Sequence, residues 1–258
     1  IFENIKTKED LLTLSEYLLS FAELAPDEFL VFFEKKIKNN DNIIMSIFDS
    51  TNAPALFSGG HEYCNLIWSL ELLLKFNSSK IRACNLLVLL YLKNFNYTLT
   101  NSPKDSLINN LHWINNSNAL TFDEKNKIIV KYINNYKSSF FDIPINLISK
   151  SNIMLSNVTP KWKSQNFSEE SITFGMINDR NRLIVSEILK VDEPNNLIII
   201  EQLINLHFYV TQDCLKIISE YIIKNYNKNS SLGTKLYELL ITKRYEFVKY
   251  NNEQEEVN

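Results

Sequence analysis

Glycine, proline and cysteine are all scarce in this sequence of 258 residues, with 4, 6 and 3 copies respectively. Glycine and proline usually make up about 7% and 5% of a protein, so few residues here favour the sharp turns between strands. The small, odd number of scattered cysteines excludes a small disulfide-stapled secreted domain and indicates a reducing compartment. Scarce turn formers together with 45% apolar residues predict helices joined by short connections.

Long apolar runs and a strong excess of either charge are also missing. The longest apolar run is about that of LLVLLYL, far below the ~18 residues of a membrane helix, and no signal-peptide pattern opens the sequence. The net charge of −3 gives no general attraction to nucleic acid or to an anionic membrane. We therefore expect a cytoplasmic protein that binds neither. Because the sequence starts with Ile rather than Met, we also expect it to be part of a longer protein.

Two of the four glycines stand together in the stretch FSGGHEYCN, where a phosphate loop or a metal site could begin. A phosphate-binding P-loop requires G-x-x-x-x-G-K-[ST], and Gly59 and Gly60 have neither the second glycine at that spacing nor the lysine. A zincin requires H-E-x-x-H, and Asn65 stands where the second histidine belongs. We expect a flexible joint that leads into a helix.

His61, Cys64 and Cys84 are the best candidate metal ligands. His61 and Cys64 lie one helical turn apart, Cys84 lies on the next predicted helix, and no fourth ligand is apparent. One hypothesis is therefore a small helical metal-dependent enzyme centred on these residues and Glu62. Free cysteines are more often buried as small apolar side chains, so we expect no metal, no cofactor and no catalytic residue.

The dominant pattern along the chain is the recurrence of apolar residues at i, i+3, i+4 and i+7, which is typical of amphipathic helices. Thr7 with Asp10, and Thr121 with Glu124, have the spacing of a capping box at a helix start. Pro26 is expected to open another helix, because its missing N–H is not needed in the first turn. Helices are also predicted near 168–190, 194–207, 211–226 and 231–248.

The predicted fold is all-α, with antiparallel helical hairpins stacked into an α-solenoid of the TPR or HEAT type. Two stretches, LLTLSEYLLSFAELAPDEFLVFFEKKI and KNKIIVKYINNYKSSFFDIPINLIS, follow the same order of helix, tight turn and helix. The polar stretch NVTPKWKSQNFSEES marks the clearest boundary. The predicted parts are a helical-repeat segment (1–150), a polar connecting loop (151–167), a C-terminal helical segment (168–250) and a flexible tail (251–258).

Several short motifs occur in order: FSGGHEYCNLIWSLELLLKF, NSPKDSLINNLHWIN, TPKW and ITFGMINDRNRLIVSEIL. Together they resemble the C-terminal helical-repeat region of bacterial STAND-type NTPases, a group that includes the antiphage AVAST (Avs) proteins. The residues that match the family pattern are Ser58, Gly59, Gly60, Trp68, Leu70, Glu71, Asn101, Pro103, Ser106, Leu107, Trp113, Pro160, Trp162, Thr173 and Gly175. The sequence departs from the pattern at LHWIN, where a proline usually precedes the tryptophan, and at FGMIN, where aromatic residues are expected.

The resemblance implies a sensor or scaffold region that binds a phage protein, commonly a terminase or portal subunit. In such proteins a separate P-loop ATPase oligomerises, so oligomers would form through the parent protein. The stretch most similar to a P-loop, SSLGTK, lacks the upstream glycine and has Gly-Thr-Lys in place of Gly-Lys-Thr. A stand-alone armadillo or HEAT scaffold is the alternative protein-binding interpretation.

Partner contacts should come from side chains that the core does not use. Trp68 and Trp113 lie in apolar helical patterns, so we expect them in the core. Trp162 lies in a polar loop between Lys161 and Lys163, a combination that suits a contact surface. Arg180 and Arg182, in the stretch NDRNR, could bind a carboxylate or phosphate of a partner. We therefore predict partner binding through Trp162, Arg180 and Arg182.

Overall fold

The computed structural model describes residues 5–48, 62–95, 101–149, 153–154, 158–191, 196–206, 211–225, 230, 233–234 and 236–242. All regular secondary structure in this described part of the chain is helical, which confirms the all-α class. The helices are α1 (Lys8–Ser15), α2 (Leu18–Leu24), α3 (Pro26–Lys38), α4 (Asn42–Ser46), α5 (Glu62–Leu73), α6 (Lys80–Leu92), α7 (Pro103–Leu111), α8 (Phe122–Tyr136), α9 (Asp142–Ser149), α10 (Phe174–Lys190), α11 (Asn196–Asn205) and α12 (Gln212–Asn225). A 3-10 helix covers Lys137–Phe140, and residues 236–242 are also helical.

The helix starts that the sequence predicts are confirmed. The Thr7 hydroxyl accepts the Asp10 N–H over 3.1 Å, and the Asp10 carboxylate accepts the Thr7 N–H over 2.9 Å. Thr121 and Glu124 form the same reciprocal pair, over 3.2 and 2.9 Å. Pro26 is the first residue of α3. These contacts satisfy N–H groups that a helix leaves without an internal acceptor, and so they fix where each helix begins.

The chain divides into two compact units, and the first comprises Ile1–Lys125 and Asn152–Glu170. In it, α2 packs on α3 and α5 packs on α6, while α2 contacts α5 and α3 contacts α6. Two pairs of consecutive helices therefore lie side by side, with α7 packed on α5 and α6. Fully buried side chains of this core include Phe29, Phe33, Leu66, Leu70, Leu87 and Leu107.

The segment 112–121 packs against the first unit without forming a helix, and buried polar side chains bind several of its carbonyls. The Lys80 ammonium donates to the Ala119 carbonyl over 2.9 Å. The Lys125 ammonium, also buried, donates to the carbonyls of His112 (3.2 Å) and Asn115. Buried carbonyls need such partners, so these two lysines hold the segment in place.

The second unit comprises Asn126–Ser151 and Ser171–Asn258. There α12 packs on α10 and α11, and α9 packs on the 3-10 helix. Buried residues of this unit include Ile129, Phe140, Ile143, Val185, Ile200, Leu203, Ile218 and Ile222. The boundaries of these units differ from the predicted ranges 1–150, 151–167 and 168–250. Residues 126–151 belong to the second unit, whereas residues 152–170 belong to the first.

None of the helices in the described ranges combines the length and the unbroken apolar character needed to cross a membrane.

Candidate functional site

Glu23, near the end of α2, binds the backbone of the segment that contains Trp162. Its carboxylate accepts three consecutive N–H groups, from Lys161 over 2.9 Å, Trp162 over 2.6 Å and Lys163 over 2.6 Å. The Glu23 side chain is buried, with 2% of the residue exposed. Charge-assisted hydrogen bonds of this kind are short and roughly twice as strong as neutral ones. The backbone of 161–163 is therefore held on α2 by a buried anion.

The electrostatics of Glu23 agree with this arrangement. Burial by itself raises the pKa of the carboxyl, because it disfavours the charged form. The three N–H donors and the charge of Lys163 together outweigh burial, so the pKa of Glu23 lies below its ordinary value. Glu23 is consequently a carboxylate at neutral pH, and its charge is satisfied by the backbone of the bound segment.

The rest of the segment is attached to the first unit at two further places. The Asn166 N–H donates to the Lys75 carbonyl over 2.8 Å, and the Asn166 side-chain oxygen accepts the Asn77 N–H over 3.2 Å. The Glu170 carboxylate accepts the Phe122 N–H at the start of α8 over 2.6 Å. Within the described residues 158–170, this part of the chain is non-helical, and it is attached to its unit at 161–163, Asn166 and Glu170.

The Trp162 ring is left outside this network of backbone contacts. The residue is 55% exposed, and the Lys161 ammonium lies 5.9 Å from the centre of its ring. The Lys163 ammonium lies 5.9 Å from the ring centre of Phe76. Neither ammonium group forms an ion pair with a carboxylate in the described part of the chain. An exposed aromatic ring with one ammonium group over it therefore lies on a backbone held by Glu23, and a second exposed lysine follows it in the sequence.

The helix that binds this segment carries two exposed apolar side chains, Leu24 within α2 and Tyr17 at its N-cap. Leu24 directly follows Glu23 and is 59% exposed, and bond lengths place its Cα within roughly 11 Å of the Trp162 nitrogen. Tyr17, at the N-terminal end of α2, is 57% exposed and lies on the same helix face as Leu24, two turns away. We refer to these five residues as the Trp162 surface: Tyr17, Leu24, Lys161, Trp162 and Lys163.

Arg180 does not lie where the sequence suggested. It is 2% exposed, so the expectation that it stays outside the core is wrong. Burial lowers the pKa of its guanidinium to about 10, because a buried site disfavours the charged form. On α10 the residue falls in the same stretch as the buried Asn181 and Ile184, and the helix face it occupies is directed inward. An arginine so deeply buried does not reach a partner.

Arg182 keeps an accessible side chain on α10. Its guanidinium pairs with Asp179 over 3.6 Å, and with Asp213 at the start of α12 over 3.9 Å. All three side chains are well exposed, and pairs of this kind contribute little to stability. Arg182 thus remains a candidate contact residue of the second unit, whereas Trp162 belongs to the first.

The two tryptophans expected in the core are only half-buried. Trp68 lies on α5, where Leu66, Ile67 and Leu70 are fully buried. At 100° per residue, Trp68 is turned about 160° away from Leu70, so its side chain lies on the side of α5 opposite Leu70. Trp113 is also half-buried, and its ring stacks on the His112 ring with centroids 5.5 Å apart. Neither tryptophan is fully buried, and neither is among the exposed large side chains of the described residues.

The candidate metal ligands are only partly within the described residues. Cys64 and Cys84 are buried and form no disulfide, while His61 and the glycine pair 59–60 lie outside the described residues, as does the side chain of Glu62. Within the described ranges, no group of three or more His, Cys, Asp or Glu side chains is arranged to hold a metal ion.

Sequence analysis missed Glu23, the residue that organises the site. The one signal available was a lone carboxylate in the apolar run LLSFAELA, in which Glu23 is buried and the neighbouring Leu24 is exposed. Comparison of the chain with protein-family models, with curated proteins and with solved structures found no significant match.

Proposed function

We propose that this chain is a protein-binding helical region that recognises its partner through the Trp162 surface. The observation that carries the proposal is the exposed Trp162 ring on a backbone fixed by three hydrogen bonds to Glu23. Tryptophan is one of the residues most often found as an energetic anchor in interfaces. Ordering an anchor before binding lowers the entropy lost on association, and the Glu23 contacts supply that order.

We further propose that the helices belong to a solenoid of stacked hairpins. The support comes from the first unit, where the consecutive pairs α2–α3 and α5–α6 lie side by side. A helical hairpin cannot bury its apolar face alone, so neighbouring hairpins stack and offer an extended surface to a partner.

The parent protein, in this proposal, is a bacterial STAND-type antiphage NTPase of the AVAST kind, in which this region acts as sensor or scaffold. Residues that carry the resemblance have specific structural roles. The Ser106 hydroxyl donates to the buried Glu71 carboxylate over 2.8 Å and links two of the motifs. Thr173 accepts the Met176 N–H and caps α10. The motif that contains Trp162 docks on Glu23. These contacts explain why a helical repeat would keep such residues.

The proposed ligand is a phage protein, of terminase or portal type, that the cytoplasmic parent meets during infection. This region would bind no nucleotide, nucleic acid or membrane, and the parent's P-loop ATPase would supply nucleotide hydrolysis and oligomerisation.

Co-purification tests this function. The parent protein is expressed with an affinity tag together with single phage proteins: a large terminase subunit, a portal protein, and a major tail protein as a negative control. We expect the terminase or the portal protein to co-purify at a fixed stoichiometry, and the reading frame that encodes this chain to encode a P-loop domain upstream. A reading frame without a P-loop domain would contradict the STAND assignment, and failure of both phage proteins to bind would contradict the ligand.

A further inference from the structure

The Trp162 surface combines an exposed aromatic ring with two cations, and we propose that its ligand is an acidic peptide segment of the partner that carries an apolar side chain. The inference rests on the proposed function, since it gives the chemistry of the partner at the same surface. It does not depend on which protein contains that segment.

The positive charge of the surface comes from Lys161 and Lys163. The ammonium groups of Lys161 and Lys163 rest over the rings of Trp162 and Phe76, each at 5.9 Å. The Glu23 carboxylate, which binds the backbone of both lysines, is buried and accepts three backbone N–H groups. Both lysines are exposed, and their ammonium N–H groups can donate to a partner. A carboxylate of the partner has the complementary charge.

The surface also has exposed apolar side chains. Trp162 and Leu24 are each more than half exposed, and Tyr17 extends the same face along α2. An apolar side chain of the ligand that covers the Trp162 ring removes this ring from water. Loss of water around the ring also strengthens the attraction between the lysines and the partner's carboxylates.

The choice of an acidic peptide over a single-stranded nucleic acid follows from the number and distribution of charges. Tryptophan with lysine could also stack a base and bind a phosphate. Nucleic-acid sites, however, line up many cations along the backbone, whereas this surface has two lysines on a chain of net charge −3. An acidic peptide needs no more than two cations, and its contacts are local.

Selection from a library of short random peptides displayed on yeast provides the test, with the chain as bait and no assumption about the natural partner. We expect the enriched peptides to be rich in Asp and Glu around at least one aromatic or aliphatic residue. Synthesised versions should bind the Trp162→Ala variant and the Lys161→Gln/Lys163→Gln variant at least about tenfold more weakly than the parent chain.

Matched controls separate the surface from general effects. Phe174→Ala removes another exposed aromatic ring, which is 84% exposed in the second unit. Lys127→Gln/Lys131→Gln makes the same change of charge on exposed positions of α8, and Lys131 also lies over an aromatic ring. Both control variants should keep the affinity of the parent chain, and all variants should keep its helical circular dichroism spectrum.

The outcomes distinguish the two proposals. Neutral or basic peptides that depend on Trp162 would overturn the acidic ligand and leave the recognition surface intact. Peptides that bind all variants equally, or no enrichment at all, would overturn the surface itself. A single-stranded oligonucleotide that binds the Trp162 surface more tightly than the best peptide at physiological salt would replace the peptide with nucleic acid.

Discussion

Glu23 binds Trp162 by its backbone and leaves its ring in solvent: the Trp162 N–H lies 2.6 Å from Glu23 Oε1, while the residue is 55% exposed. A tryptophan in a long polar segment would ordinarily sample many orientations when free, and its ordering would oppose binding. Here folding itself fixes the backbone at 161–163.

Substitution of Glu23 should release the segment that it holds. Glu23→Gln keeps the size of the side chain but removes the charge that strengthens three hydrogen bonds, and we expect a loss of about 2 kcal/mol in the free energy of unfolding. Urea unfolding followed by circular dichroism measures the loss. Hydrogen exchange should show faster exchange of the amides of 161–163 in the variant.

Glu28→Gln is the matched control, because Glu28 is an exposed carboxylate in the first turn of the next helix, α3. Its unfolding free energy should stay within about 0.5 kcal/mol of the parent. Equal effects of the two substitutions would show that the carboxylate of Glu23 has no special role.

The stabilisation by Glu23 should depend on pH with a defined sign. The pKa of Glu23 is below its ordinary value of 4.5 in the folded chain, so the folded state favours the charged form. The contribution is fully present above about pH 4.5 and is lost as the pH falls further toward the folded-state pKa. The difference in unfolding free energy between the parent and Glu23→Gln should therefore shrink below that pH. A difference that stays constant or grows on acidification contradicts the assignment.

Lys125 should be essential for stability although it is charged. Its ammonium donates to the carbonyls of His112 and Asn115 inside the first unit, so Lys125→Met leaves two buried carbonyls without that donor. We expect a loss of about 3 kcal/mol, measured by thermal or urea unfolding. Lys127→Met, on the exposed side of the same helix, should change stability by less than about 0.5 kcal/mol. Similar stability of the two variants would contradict the role of Lys125.

The half-buried position of Trp68 gives another stability prediction. Leu70 is fully buried on the opposite side of α5, so Leu70→Ala should destabilise by about 3 kcal/mol through the cavity it leaves. Trp68→Ala should cost about 1.5 kcal/mol, despite removal of a larger side chain, because the residue is only partly buried and its removal leaves a site that water can fill. Unfolding curves in urea compare the two directly, and a larger loss for Trp68→Ala would place its ring in the core.

The sequence predicts those parts of the structure that depend on neighbouring residues. The capping boxes at Thr7 and Thr121 join residues three positions apart. Pro26 restricts its own backbone. Each of these features can therefore be recognised from a few neighbouring residues in the sequence. The bond between Glu23 and Trp162 joins residues 139 positions apart. No periodicity or local spacing encodes that contact, which depends on how the folded segment returns to α2.

Arg180 shows a second limit of prediction from pattern. Its neighbours Asp179 and Arg182 are exposed, and a run of charged residues is typical of a solvated helix face. The helix nevertheless turns Arg180 inward, because Asn181, Ile184 and Val185 on the same side pack into the unit. An arginine is usually exposed, but the tertiary packing of α10 buries Arg180.

Calorimetric titration tests most directly whether Trp162 recognises a phage protein. The chain, Trp162→Ala and Phe174→Ala are each titrated with a phage large terminase subunit and with a portal protein. The account predicts that one of the two proteins binds. It predicts a loss of about thirtyfold or more in affinity for Trp162→Ala, with unchanged affinity for Phe174→Ala and unchanged melting temperature for both variants. Binding of neither protein, or equal binding to the parent chain and to Trp162→Ala, would contradict it.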